Sequence, residues 1–143
     1  MPAHLSESCH FRDYIRQFDL WNGLTAAQRD KLISETRFAC YKKGASVYHG
    51  ALDGAGTLHV ISGTLRVYIL SEEGRELTLY FLRDGDVALL ASTAVLASIA
   101  CDIAIEATKN TELFVSETET VRDILSNNVE VRACAYEYAV VRL

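Results

Sequence analysis

The chain has 143 residues, half of them hydrophobic, and carries 19 acidic against 14 basic side chains for a formal charge of −5. That length buries one sizeable core but not two ordinary ones. The acidic balance argues against this segment gripping a phosphate backbone, since such affinity comes from Lys and Arg.

Cys9, Cys40, Cys101 and Cys134 form no CxxC or CxH pair, so spacing makes no case for a zinc knuckle or a thioredoxin-like motif, and free thiols in a reducing cytoplasm are expected. Met1 to Ser8 has neither a basic n-region nor an apolar h-region. The longest weakly polar run, Val87 to Ala100, contains Ser92, Thr93 and Ser98 and falls short of the ~20 apolar residues a spanning helix needs. A soluble cytoplasmic protein with no membrane partner is expected.

In chain order, Phe11, Tyr14, Ile15 and Phe18 recur at i, i+3, i+4 and i+7, which puts four apolar side chains on one face of a short helix. Trp21 follows as a packing anchor between helices. Thr25-Ala26-Ala27-Gln28 has the form of a capping box and opens a second helix from about Ala26 to Glu35. From Arg37 the pattern changes to short β-rich runs punctuated by Gly, the mark of an antiparallel sandwich or barrel. The expected strands are Arg37 to Tyr41, Ser46 to Tyr48, Thr57 to Ile61, Thr64 to Leu70, Glu76 to Leu82, Asp102 to Ala107 and Glu112 to Val115. Ser62-Gly63 and Glu72-Glu73-Gly74 read as hairpin turns, where Gly accepts a positive φ.

Two helices finish the chain, opened by the capping-box patterns Ser116-Glu117-Thr118-Glu119 and Asn127-Asn128-Val129-Glu130. The carboxylates from Glu117 to Asp123 read as a solvated face near a helix N-terminus. In the last helix Val131, Cys134, Tyr138 and Val141 follow 3-4-3 spacing. Such a seam serves a dimer interface, or packs the helix on its own barrel, because two heptads do not decide between them. The helix reaches Leu143 without a Gly or Pro stop, which reads as a chain that continues. The expected organisation is a single structural domain: N-terminal helices over 1–36, a β-barrel over 37–116, and C-terminal helices over 117–143.

This order of elements, and the wording of the sequence, resembles the sensor domain of the bacterial cyclic-AMP-receptor/fumarate-nitrate-regulator (CRP/FNR) transcription regulators. Tyr41-Lys42-Lys43-Gly44 with Val47-Tyr48-His49-Gly50 resembles the family's opening turn, and Val60-Ile61-Ser62-Gly63-Thr64-Leu65-Arg66-Val67-Tyr68 its central hairpin. Glu72-Glu73-Gly74-Arg75-Glu76-Leu77-Thr78-Leu79-Tyr80 and Gly85-Asp86-Val87 follow as in the family. The resemblance covers about Phe11 to Leu143. It implies a mainly β fold with flanking helices: a double-stranded β-helix (jelly-roll, cupin-like) barrel followed by a long C-terminal dimerisation helix. It further implies a sensor for a small-molecule effector, a homodimer, and DNA binding only through a C-terminal helix-turn-helix domain absent from this sequence. No enzyme, cofactor or metal is implied.

Family members that bind cyclic nucleotides resemble one another in a Glu after Gly, which holds the ribose, and an Arg before a small residue, which holds the phosphate. Here Asp86 follows Gly85, and Cys101-Asp102 occupies the Arg position. A buried phosphate needs a charge-assisted partner, so tight cyclic-AMP binding is not expected unless Arg66, Arg75 or Arg83 supplies the cation. An iron–sulfur cluster would need about four thiolates in reach, and the cysteines are dispersed. The small residues between Ala88 and Ala100 suit an uncharged or aromatic ligand. The expected ligand-binding residues are Asp86, Leu90, Ser92, Thr93, Cys101, Asp102 and Tyr138, with Tyr136 as an alternative to Tyr138. The same barrel hosts cupin enzymes, so a stand-alone small-molecule-binding or metal-dependent cupin-like protein is the alternative. His4, His10, His49 and His59 contain no His-x-His pair, however, and read as surface or turn histidines.

Overall fold

The computed structural model describes residues 7–16, 18–51, 54–89 and 102–142, and the side chains of all of these except 7–10, 136 and 138–142. It opens with helix α1 (Glu7–Ile15), a 3-10 turn (Asp19–Trp21) and α2 (Ala26–Ser34). Strands β1 (Thr36–Tyr41), β2 (Ser46–Gly50), β3 (Thr57–Ser62), β4 (Thr64–Leu70), β5 (Glu76–Arg83), β6 (Val87–Ala88), β7 (Ile103–Ala107) and β8 (Thr111–Ser116) follow. Helices α3 (Thr118–Asn127) and α4 (Val129–Arg142) close it.

The strands form two antiparallel four-stranded sheets, ordered β1-β8-β3-β6 and β2-β7-β4-β5. This is the jelly-roll order, in which successive strands alternate between the sheets except at the β4–β5 hairpin. Alternation along each strand then sorts side chains between two cores. Leu58 and Val60 of β3, Leu65 and Val67 of β4, Ile103 and Ile105 of β7, and Leu113 and Val115 of β8 fill the space between the sheets. The intervening residues of the first sheet, among them Phe38, Phe114 and Ile61, face a second core shared with the helices. Phe11, Ile15, Leu20, Trp21, Leu32, Ile124 and Val131 cover them there. The central strands β3 and β8 of the first sheet are therefore buried on both faces.

The Thr25 capping box is present in both directions: Gln28 N–H donates to Thr25 Oγ1 and Thr25 N–H donates to Gln28 Oε1, each at 3.1 Å. Four expectations are corrected. Ser62-Gly63 is not a hairpin, because β3 and β4 belong to different sheets. Gly63 (φ +109) instead turns the chain across the barrel, and a Cβ there would collide with Asn110 and Thr111. Ser116 does not cap α3; its hydroxyl pairs with that of Thr36 at 2.7 Å, and the N-cap is Glu117 without a side-chain bond. The α4 cap is Asn128 rather than Asn127, since Asn128 Oδ1 accepts Val131 N–H at 3.1 Å. His59 is not a surface histidine: it is wholly buried in β3. The two-residue β6 was not anticipated, and α1 ends before Phe18, which still packs on the second core.

Candidate functional site

The space between the sheets is the candidate effector site. Beyond the aliphatic side chains already named, Ala39, Tyr41, Val47, Tyr48, Ile69, Leu79 and Tyr80 pack against it. Among the described residues no Asp, Glu, Lys or Arg is buried. Burial raises the Tyr80 hydroxyl well above its usual pKa, so it enters this space only as a neutral donor or acceptor. The Tyr48 hydroxyl donates to the Ala51 carbonyl, pinning its ring over the turn that carries Gly50 and Gly54.

Of the expected ligand residues, Asp86 and Asp102 are described with their side chains. Asp86 closes the turn before β6: its Oδ2 accepts Arg83 N–H at 2.8 Å, and its carbonyl accepts Val60 N–H at 2.9 Å. Asp102 is exposed just ahead of β7. Leu90, Ser92, Thr93 and Cys101 lie outside the described residues, as does the Tyr138 side chain.

Of the arginines named as alternative phosphate partners, Arg66 and Arg83 are engaged elsewhere and Arg75 is exposed. Between the inward Leu65 and Val67, Arg66 points outward from β4. There its Nε donates to Glu106 Oε1 at 2.8 Å, its other nitrogens donate to Thr78 and Glu76, and its guanidinium lies 3.9 Å from the centre of the Tyr68 ring. Arg83 lies over the Phe81 ring at 5.3 Å. Arg75 sits beside Gly74 in the β4–β5 turn, on the exposed side of the barrel.

The α4 residues named for a dimer seam divide. Val131 is 1% exposed and packs, with Ala135, in the second core of its own chain. Cys134 is partly buried against the same core, and burial together with Glu137 and Asp19 pushes its thiol up, away from a reactive thiolate. The side chains of Tyr138 and Val141 lie outside those described. The start of α4 is instead clipped to the N-terminal helices: Asn128 Nδ2 donates to the Gly23 carbonyl at 2.8 Å and to Gln28 Oε1 at 2.9 Å. The capping-box glutamine of α2 thus also holds the N-cap of α4. His49 and His59 do not come together, since His49 is exposed on β2 in one sheet and His59 lies beneath the helices on the other.

Sequence reasoning missed the environment of His59. In the row β1–β8–β3, Phe38, Phe114 and His59 stand side by side. The imidazole meets Phe11 at 5.2 Å, Tyr14 at 6.0 Å and Trp21 at 6.0 Å between ring centroids. Burial drives its pKa down to about 4, slightly offset by the Phe114 main chain. That approach falls short of hydrogen-bond geometry at either ring nitrogen. The available signal was the aromatic spacing Phe11, Tyr14, Phe18, which needed a partner face.

No protein-family model and no curated protein matches the sequence. Among solved structures, a protein described as a transcriptional regulator of the crp/fnr family from Eubacterium rectale is 38% identical, with a TM-score of 0.76 over 89% of this chain and 59% of that one. The sensor domain of the regulator DNR from Pseudomonas aeruginosa superimposes with a TM-score of 0.73 at 18% identity, covering 97% of this chain and 92% of the domain. A protein described as cyclic nucleotide-binding from Geobacter metallireducens gives 0.65 at 12% identity, covering 96% of this chain and 95% of that one. The latter two likenesses are of fold; the first extends to sequence, and the chain spans about three fifths of that regulator's length. In sequence the chain is thus similar to part of a regulator described as of the crp/fnr family, and in fold to the sensor domain of DNR.

Proposed function

We propose that this chain is the effector-sensing domain of a cytoplasmic bacterial CRP/FNR-type transcription regulator, and that its effector is a small, uncharged and largely apolar molecule rather than a cyclic nucleotide. The observation that carries the reading is that no Asp, Glu, Lys or Arg is buried among the described residues. A buried phosphate there would have no cation, because Arg66 is held outside by Glu76, Glu106 and Thr78. Asp86 is committed to the Arg83 turn. Leaving an ionic group unpaired in such a space costs several kcal/mol, on the order of a thousandfold or more in affinity.

In this reading Leu90, Ser92, Thr93, Cys101 and Asp102 contribute to the effector pocket, with Tyr138 closing it from α4. Effector binding then changes the seating of α4, the second half of that helix carries the homodimer through Tyr138 and Val141, and a DNA-binding domain elsewhere in the regulator reads the helix position. Such coupling requires that the effector contact the two seatings of α4 differently.

The test is calorimetry and thermal shift on the chain with cyclic AMP and cyclic GMP beside a panel of uncharged aromatic compounds. Micromolar binding of either nucleotide overturns the effector class. For an aromatic compound that does bind, Leu90→Arg should abolish its thermal shift, and an unchanged shift removes the pocket from this region.

A further inference from the structure

Four buried polar atoms lack a hydrogen-bond partner among the described residues: Trp21 Nε1, Thr57 Oγ1, and both ring nitrogens of His59. They are not scattered. Thr57 and His59 are alternate residues of β3 and therefore point to the same face of the first sheet, the one covered by the helices. Trp21 lies across from His59, with ring centroids 6.0 Å apart and planes tilted by 47°. The nearby hydroxyls of the same face are already spoken for: Thr36 Oγ1 bonds the Leu32 carbonyl at 2.6 Å and pairs with Ser116 Oγ at 2.7 Å.

Buried donors and acceptors in native proteins find partners almost without exception, through ordered water where the chain supplies none. The donor and acceptor types fit water well. The indole N–H can only donate, a neutral imidazole offers one donor and one acceptor, and the threonine hydroxyl offers both. Two hydrogen bonds of ordinary length let one water join polar atoms about 4.5–5.5 Å apart, the scale set by rings at this spacing. Charged ligands are disfavoured, since Phe11, Tyr14 and Phe114 wall the group and His59 itself is neutral at ordinary pH. The geometry points to an internal hydration site between the helical layer and β3, in which one or two long-lived water molecules bridge Trp21, His59 and Thr57. It is separate from the space between the sheets, and stands whether or not the effector reading does.

Trp21 is the only tryptophan in the chain, so its indole proton is an unambiguous probe. In the 15N-labelled full chain, that proton should show a cross-peak at the water frequency with the sign of a molecule resident for longer than nanoseconds. Relay through an exchanging hydroxyl could imitate it, from Thr57 or from Tyr14, whose hydroxyl donates to the Val60 carbonyl at 3.5 Å. Tyr14→Phe removes the second source without touching the site: survival of the cross-peak in that variant supports bound water, whereas its loss there, or its absence from a resolved indole signal in the parent chain, overturns the proposal. A crystal structure of the parent chain separates water from the Thr57 hydroxyl: ordered density about 3 Å from Trp21 Nε1 supports the site, and bare protein there overturns it.

Discussion

His59 ties the stability of the helical layer to pH, and the sign follows from its environment. Burial lowers its folded-state pKa from 6.5 to about 4, so between those values the unfolded chain binds a proton that the folded chain refuses. Stability from keeping this ring neutral is fully present above pH 6.5 and is lost as the pH falls toward 4. A 2.5-unit difference corresponds at its limit to roughly 3 kcal/mol. About 2 kcal/mol of this is gone by pH 5 and about 3 kcal/mol by pH 4, a large fraction of the 5–15 kcal/mol typical of a domain. Replacing His59 with Leu removes the titrating group while keeping an apolar side chain under Phe11 and Trp21. Urea unfolding, followed by Trp21 fluorescence at several values between pH 7.5 and 4, should show the parent chain losing about 3 kcal/mol more than His59→Leu over that range. Carboxylate titrations are common to both proteins and cancel in the difference. Parallel stability curves for parent and variant would refute the reasoning.

Asn128→Ala removes the α4 cap and both bonds to Gly23 and Gln28. It should cost about 2 kcal/mol in urea unfolding, more than the ~1 kcal/mol of a single exposed cap such as Thr25→Ala. Gly63→Ala places a Cβ against Asn110 and Thr111 at a φ of +109, so a loss of at least about 1–3 kcal/mol is expected on thermal unfolding. Val131→Asp buries a carboxylate in the chain's own core and should unfold or severely destabilise the protein. If light scattering shows it instead as a stable, folded monomer, Val131 belongs to a dimer seam after all.

The barrel was readable because its signals are local. Gly-punctuated runs with apolar alternation, as in Leu65 and Val67, mark strands whose solvent-facing neighbours are polar, and seven of the eight strands were expected within a residue or two. The Thr25 box was readable for the same reason, since both partners lie within one helical turn. The helix caps at Ser116 and Asn127 were misread because a capping pattern states only that a hydroxyl or amide is available. Ser116 had a competing partner, Thr36, eighty residues away, and Asn128 had Gly23 and Gln28 across the fold.

The candidate site divides along the same line. That a phosphate-binding arginine is missing where the family resemblance places one could be read from residue types alone. That Arg66 faces outward into Glu76 and Glu106 depends on which side of β4 is covered, which the pairing of β4 with β5 and β7 decides. His59 lay beyond sequence reasoning altogether, and for Val131 the sequence left two readings open. The strand that carries His59 is buried on both faces, so alternation loses its meaning there. The seam that carries Val131 looks the same whether it meets a partner or its own helices. The sequence by itself determined which segments become strands and helices and how little charge the barrel could hold. Only the tertiary structure decided which face each strand shows to which core, because that choice depends on long-range pairing and on the helices that cover the first sheet.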